Sequence, residues 1–345
     1  MFEKLKKWFI EFILVTLAIS GCTRAVPVNV SSLDKAEKES KGFSLLPDGL
    51  FKKKAVVTPP GDYVLTLEVI EETLEDAKNR SYSLHIPPTY DGSTPVPAVI
   101  LLHGVGMTTA DFAMLTKFNA LADAKGFIVV YPDAYGAKRI WNPGFIQGSG
   151  ADDVTFISAL IDQLLIDHNI NPRYVFVAGY FDGGMMAYKL GATLPDKLAA
   201  VGGVGATVGY QKAANDIVRL ESSLAPVSAM VIHGRQDATV PYESSKALNK
   251  GKAGFLPGFD ALRYWIEQDA CNPKPEVKTK KNENIVKVTY TCQNGTAVRF
   301  IAIQNGNHSW PGSVEKSSAK KAQMDISATN ELWEFFIAHP LAATE

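Results

Sequence analysis

The stretch Tyr174-Val175-Phe176-Val177-Ala178-Gly179-Tyr180-Phe181-Asp182-Gly183-Gly184-Met185 decides the reading of this chain. An apolar, β-branched and aromatic run ends at a glycine, a second glycine follows four places later, and a helical pattern is expected from about Met185. That is a strand, a sharp turn and a helix, the geometry of a nucleophile elbow. The G-x-S-x-G pattern needs small residues flanking the nucleophile because the turn is tight and strained, and Gly179 and Gly183 fill those places. The residue between them, at the nucleophile position, is Phe181, which has no lone pair to attack with. Asp182 is the nearest group with nucleophilic oxygens. An elbow centred on Asp182, however, would set Tyr180 where a small side chain is required.

Upstream, Leu101-Leu102-His103-Gly104-Val105-Gly106 follows another apolar run. A dinucleotide-binding turn would need a third glycine at position 109, which is Thr109, and Gly203-Val204-Gly205 fails the same pattern at Val208. An oxyanion loop fits better, with the Val105 and Asp182 amides as the donors to charge developing on a carbonyl oxygen. Downstream, Val231-Ile232-His233-Gly234-Arg235-Gln236-Asp237 sets an acid just past a strand, and Asn305-Gly306-Asn307-His308-Ser309-Trp310-Pro311-Gly312 sets a histidine in a loop. Elbow, acid and histidine, at 181, 237 and 308, follow the chain order of an α/β-hydrolase triad. In such a triad Asp237 would orient His308, and His308 would take the nucleophile's proton.

Further out, short strand-like runs alternate with helical patterns. The runs are 63–70, 81–86, 96–102, 127–131, 174–178, 227–233 and 297–303. Between them, Val154, Ile157, Leu160, Ile161, Leu164 and Leu165 form one helical stripe over 153–168. Near-continuous apolar strands such as Ala98-Val99-Ile100-Leu101-Leu102 are expected where both sheet faces are covered. The pattern predicts a doubly wound, mostly parallel α/β sheet of the α/β-hydrolase fold, as a single domain over 61–345.

The N-terminal region reads as Lys4, Lys6 and Lys7, an apolar run over 12–19, and Ile19-Ser20-Gly21-Cys22. This order predicts a secretory signal over 1–21. Its last four residues resemble a bacterial lipobox, so Cys22 is expected to carry lipid and anchor an exported protein to a membrane. Residues 22–60 are mixed in charge and lack periodicity, as a tether would. The whole chain has 35 basic and 36 acidic residues in 345, a net charge of −1. Such a balance offers no footprint for nucleic acid. Three cysteines without a CxxC spacing argue against a thiolate metal site. Cys271 and Cys292 are expected to pair in an exported protein.

Taken together, Leu102-His103-Gly104, Trp141-Asn142, Asp152-Asp153-Val154, Gly183-Gly184-Met185-Met186-Ala187-Tyr188, Pro241-Tyr242 and His308-Ser309-Trp310-Pro311-Gly312 resemble the polyhydroxybutyrate depolymerase and feruloyl esterase-like family of secreted α/β-hydrolases. The likeness runs from about Arg80 to Phe336. It implies hydrolysis of carboxylic esters through an acyl-enzyme without a cofactor or metal, with Asp237 as acid, His308 as base, and Cys271–Cys292 as a disulfide. The departure is at the elbow, where the family reads G-x-S-N-G-G and this chain has Phe181 and Asp182.

His85, His168, His233 and His339 carry no partner pattern and read as structural. His103 is expected to shape the oxyanion loop, Asp152-Asp153 to cap a helix, and Trp141 and Trp310 are candidates to line a substrate groove or simply to pack. Two functions follow. One is an exported ester hydrolase scaffold with residual or redirected reactivity. The other is a non-catalytic surface protein that binds esters or polysaccharides.

Overall fold

The computed structural model describes residues 58–70, 79–244, 248, 250–279, 284–313 and 326–342. The expected signal, Cys22 and nearly all of the tether lie outside them. In chain order the strands are β1 (Gly61–Glu68), β2 (Asn79–Ile86), β3 (Val96–Leu102), β4 (Ile128–Pro132), β5 (Ile170–Tyr180), β6 (Ala200–Val204), β7 (Gly209–Ala213), β8 (Asp216–Arg219), β9 (Ser228–Gly234), β10 (Gly254–Phe255), β11 (Glu276–Thr279), β12 (Ile285–Thr291) and β13 (Ala297–Ile303). The helices are α1 (Thr109–Thr116), α2 (Phe118–Lys125), α3 (Asp153–Asp167), α4 (Asp182–Thr193), α5 (Gly258–Gln268) and α6 (Ala328–Ile337).

Ten strands form one sheet in the order β1-β2-β4-β3-β5-β6-β9-β13-β12-β11. The six central strands, β4 to β13, run parallel, and antiparallel strands flank them on both sides. This is the α/β-hydrolase fold expected from the alternation. β3 shows why its strand is apolar throughout: Ala98, Ile100 and Leu102 face one layer with α3, α4 and α5, while Val99 and Leu101 face the other with α1, α2 and α6. Both faces are dry, so no position of the strand centre tolerates a polar side chain. Ring pairs lock α6 to the sheet, with Phe127 stacked on Trp333 at 4.0 Å and Phe176 on Phe336 at 4.8 Å.

Helix starts carry the expected chemistry. Thr108 and Asp111 make a capping box at α1, and the Asp152 carboxylate accepts from Thr155 N–H at α3. The expected helical stripe is α3, one residue shorter than read. Its buried face also includes Phe156, whereas Val154 and Leu165 are only partly buried.

Several strands have weaker sequence signals. β6 contains Gly202 and Gly203, because a Cβ on the first would meet Leu332 at 2.3 Å and one on the second Tyr188 at 2.5 Å. Helices pressing from both faces therefore demand glycines that ordinary strand propensity disfavours. β12 lies in a lysine-rich stretch, yet its Lys287 is paired with Glu331 of α6 at 2.5 and 2.6 Å. Cys271, just past α5, and Cys292, just past β12, form the expected disulfide, which ties a covering helix to the edge of the sheet.

Candidate functional site

β5 ends at Tyr180 and α4 starts at Asp182, three residues before the helix start expected from sequence, so Phe181 alone makes the turn. Its backbone has φ 53° and ψ −116°, a conformation that costs a non-glycine residue about 1–3 kcal/mol. It is held by Phe181 N–H donating to Val204 C=O at 3.0 Å and by Met185 N–H donating to Phe181 C=O at 2.9 Å. The flanking glycines are required by contact. A Cβ on Gly179 would lie 2.3 Å from the Gly183 carbonyl carbon, and one on Gly183 would lie 2.2 Å from Leu102 O. The strained elbow is thus kept although its apex carries a benzyl group.

Two loops bring the other expected members together. Gly234 after β9 and Gly306 after β13 allow backbone-to-backbone contact, since a Cβ on Gly234 would lie 2.4 Å from Gly306. Gln236 N–H donates to Gly306 C=O at 2.7 Å across this seam. Asp237 Oδ1 accepts from Thr239 and Val240 N–H, each at 2.8 Å, and Oδ2 accepts from His308 Nδ1–H at 2.8 Å. The Asp237 side chain is fully buried and the His308 side chain is 17% exposed. The imidazole sits between two rings: Phe181 is edge-on at 4.9 Å and Tyr180 is tilted at 5.1 Å. The acid, the histidine and residue 181 therefore meet, as the chain order anticipates.

The loop at 103–106, the expected oxyanion loop, is braced from beneath. His103 Nδ1–H donates to Gly104 C=O at 2.9 Å, and its Nε2 accepts from Ala134 N–H at 3.1 Å. Trp141 Nε1–H donates to His103 C=O at 3.0 Å. Trp141 and Trp310 are 0% and 1% exposed, so neither lines a groove, contrary to the expectation from sequence. Trp141 is a strut under the loop. Trp310 packs on Phe112, Phe118 and Tyr180 and donates to Thr329 Oγ1 at 3.1 Å. Asp152 caps as expected, but Asp153 serves differently: it is buried, pairs with Arg80 at 2.6 Å, and accepts from Asn142 N–H at 2.8 Å.

Asp182 is the second departure from the pattern. Its side chain is buried, Oδ2 accepts from Trp141 N–H at 3.0 Å, and Oδ1 is a buried oxygen without a hydrogen-bond partner. Burial pushes this carboxyl up to about 6, opposed by the Trp141 N–H, by His103, and by the Val105 and Asp182 backbone amides. The carboxyl thus sits at the start of α4 with one oxygen on the Trp141 N–H and the other without a donor.

In front of the elbow lies a cleft of about 640 Å³ whose walls include Val105, Phe145, Phe181, Tyr210, Lys212 and Phe255. Tyr210, Phe255 and Phe181 make successive edge-to-face contacts of 5.3 Å that lead to His308. Tyr210, Lys212 and Phe255 come from the separate three-stranded sheet β10-β7-β8. Sequence reading missed them because no motif marks them. Among the described residues, no group of three or more His, Cys, Asp or Glu is placed to hold a metal ion.

Comparison with known proteins agrees with the resemblance read from the sequence. The Esterase PHB depolymerase family matches residues 80–247. The chain is 24% identical over 240 residues to the bifunctional acetylxylan esterase/xylanase XynS20E of Neocallimastix patriciarum, an alignment spanning 68% of this chain and 32% of that one. It is 25% identical over 267 residues to "Probable feruloyl esterase C" of Aspergillus niger, covering 75% of this chain and 84% of the other. An acetyl xylan esterase from Aspergillus awamori superposes with a TM-score of 0.54 at 14% identity, over 80% of this chain and 99% of that one, a likeness of fold. The scaffold is esterase-like and resembles polyhydroxybutyrate depolymerases and feruloyl and acetylxylan esterases.

Proposed function

We propose that this esterase-like scaffold belongs to an exported, lipid-anchored protein that receives carboxylic esters at the elbow cleft but has lost serine-type turnover. The observation that carries the reading is Phe181 at the apex, its ring edge-on to His308 at 4.9 Å. In a working triad a hydroxyl would stand there, the imidazole would remove its proton, and Asp237 would hold the imidazole in orientation. Phe181 offers no proton and no lone pair, and its bulk fills space that an acyl carbon would need. What remains is a water molecule activated by His308, and scaffold-only catalysis of this kind gives roughly 10³–10⁴-fold over the uncatalysed rate. Export and lipid attachment at Cys22 rest on the N-terminal sequence, and export draws further support from the Cys271–Cys292 disulfide.

A second reading, a non-catalytic binder of esters or polysaccharides, is favoured by the aromatic wall of Phe181, Phe255 and Tyr210, which suits ligand rings as well as acyl chains. The two readings separate by rate. Short-chain 4-nitrophenyl ester hydrolysis is measured for the parent, Phe181→Ser and Phe181→Ser/His308→Ala, with fluorophosphonate labelling in parallel. The expected result is an unlabelled parent, with substantial turnover and labelling gained only by Phe181→Ser. Strong parent activity that survives in a further His308→Ala variant of the parent would refute the assignment of the site.

A further inference from the structure

The elbow cleft is one lobe of a longer depression. A second cavity of about 480 Å³ shares Ile140 and Gln147 with it and is bounded by Tyr135, Lys138 and Ser149. The walls of both lobes are mainly apolar or neutral, and the charged side chains among them are Lys138, Lys212 and Asp182. Asp182 is 1% exposed and turned toward Trp141 N–H, so it presents no exposed carboxylate to a ligand.

Lys212 is placed by the backbone. In the β7–β8 ladder Gln211 pairs with Ile217 and Ala213 with Asp216, so Lys212 is an extra residue in an otherwise regular hairpin. A bulge of this kind re-aims one side chain out of the strand's alternation. Gln211 beside it is buried and bonded to the Leu248 and Lys252 carbonyls, whereas Lys212 is exposed and borders the cleft. Among the described residues no carboxylate stands within ion-pair distance of Lys212 or Lys138.

We infer that the two-lobed cleft selects ligands with an apolar body and a free carboxylate, with Lys212 meeting the carboxylate and the Phe181–Phe255–Tyr210 wall the body. The inference rests on the reading that this cleft is the ligand site, and it adds a specificity that nothing at the elbow demands. The ester classes served would be those whose acid or alcohol part carries a second, ionised carboxyl. An exposed ammonium meeting one carboxylate is worth a few-fold in affinity, and the gain is screened by salt.

The test is calorimetric titration of the full-length protein with 4-phenylbutyrate and with 4-phenylbutyramide, which share a body and differ in charge. At 50 mM NaCl the acid is expected to bind three- to fivefold more tightly than the amide, and the difference is expected to shrink at 500 mM. Lys212→Met, which keeps the aliphatic stem, should bring the acid to the amide's affinity. Equal binding of acid and amide by the parent, no saturable binding of either, or a preference for the acid that persists in Lys212→Met overturns the inference. Phe181→Ser turnover of the neutral ester 4-nitrophenyl butyrate decides the proposed function separately, so the two can fail independently.

Discussion

Replacing Asp182 by asparagine should stabilise this protein at neutral pH and do little in acid. The carboxyl is 1% exposed, one of its oxygens lacks a partner, and burial holds its pKa at about 6 against an ordinary 3.8. The folded state therefore binds this proton more tightly than the unfolded chain. The carboxyl's favourable contribution is fully present below about pH 4 and is lost as pH rises through about 6. A rise of about two units corresponds to about 3 kcal/mol spent on ionising the buried group at pH 7.5. Asparagine keeps a carbonyl oxygen to accept from Trp141 N–H and carries no charge to desolvate. Allowing for relaxation around the site, the expected gain is about 1–3 kcal/mol, roughly 2–6 °C in Tm for a domain of this size. The assay is thermal unfolding of parent and Asp182→Asn at pH 7.5 and pH 4.0. A gain at pH 7.5 that vanishes at pH 4.0 is expected. A variant less stable than the parent at pH 7.5, or one shifted equally at both pH values, would refute the argument that desolvation governs this side chain.

The same group should affect restored chemistry. In a Phe181→Ser background, Asp182→Asn is expected to raise 4-nitrophenyl ester turnover at pH 8 by up to about tenfold, because a buried carboxylate beside the elbow, ionised above about pH 6, opposes negative charge developing there. Turnover equal to that of Phe181→Ser alone would count against this. Arg80→Met should lower stability by about 3–5 kcal/mol, since it removes the buried guanidinium that faces the fully buried Asp153 carboxylate; denaturant unfolding of the variant measures it. Replacing Cys271 and Cys292 by serine opens a link of sequence separation 21 and is expected to cost about 3 kcal/mol, read as a lower midpoint in urea relative to the oxidised parent. Trp141→Phe keeps most of the packing but loses the N–H donated to His103 C=O. It should lower the activity of Phe181→Ser more than it lowers the parent's Tm, and equal proportional losses would show that the indole N–H does not brace the loop.

The elbow was legible because its two glycines and the residue between them make one local turn pattern, although Gly183 is also required by Leu102 O on the neighbouring strand. A Cβ on Gly179 would strike Gly183 across the turn, and one on Gly183 would strike Leu102 O, so neither position admits a side chain. The order of Phe181, Asp237 and His308 was legible for the same reason, since each sits at the end of a strand whose pattern is local. For Trp141 and Trp310 the sequence leaves groove and packing open, because a tryptophan beside a motif looks the same in sequence whether it faces the ligand or supports the loop from below; burial decides for packing. Asp153 was read as a second capping carboxylate because its partner, Arg80, lies 73 residues away in the chain. β6 was lost to its glycines, whose reason lies in Leu332 and Tyr188 approaching from opposite layers.

The sequence alone determined that the chain folds as a doubly wound sheet with a glycine-flanked strand-turn-helix whose turn residue is Phe181, because strand periodicity, turn glycines and residue identity are properties of neighbouring residues. Only the tertiary structure decided what surrounds that apex: the two rings against His308, the buried carboxyl of Asp182 on the Trp141 N–H, and the wall from β7 and β10 that brings Lys212 to the cleft. Those relations join segments tens of residues apart through burial and close packing, which local sequence pattern does not encode.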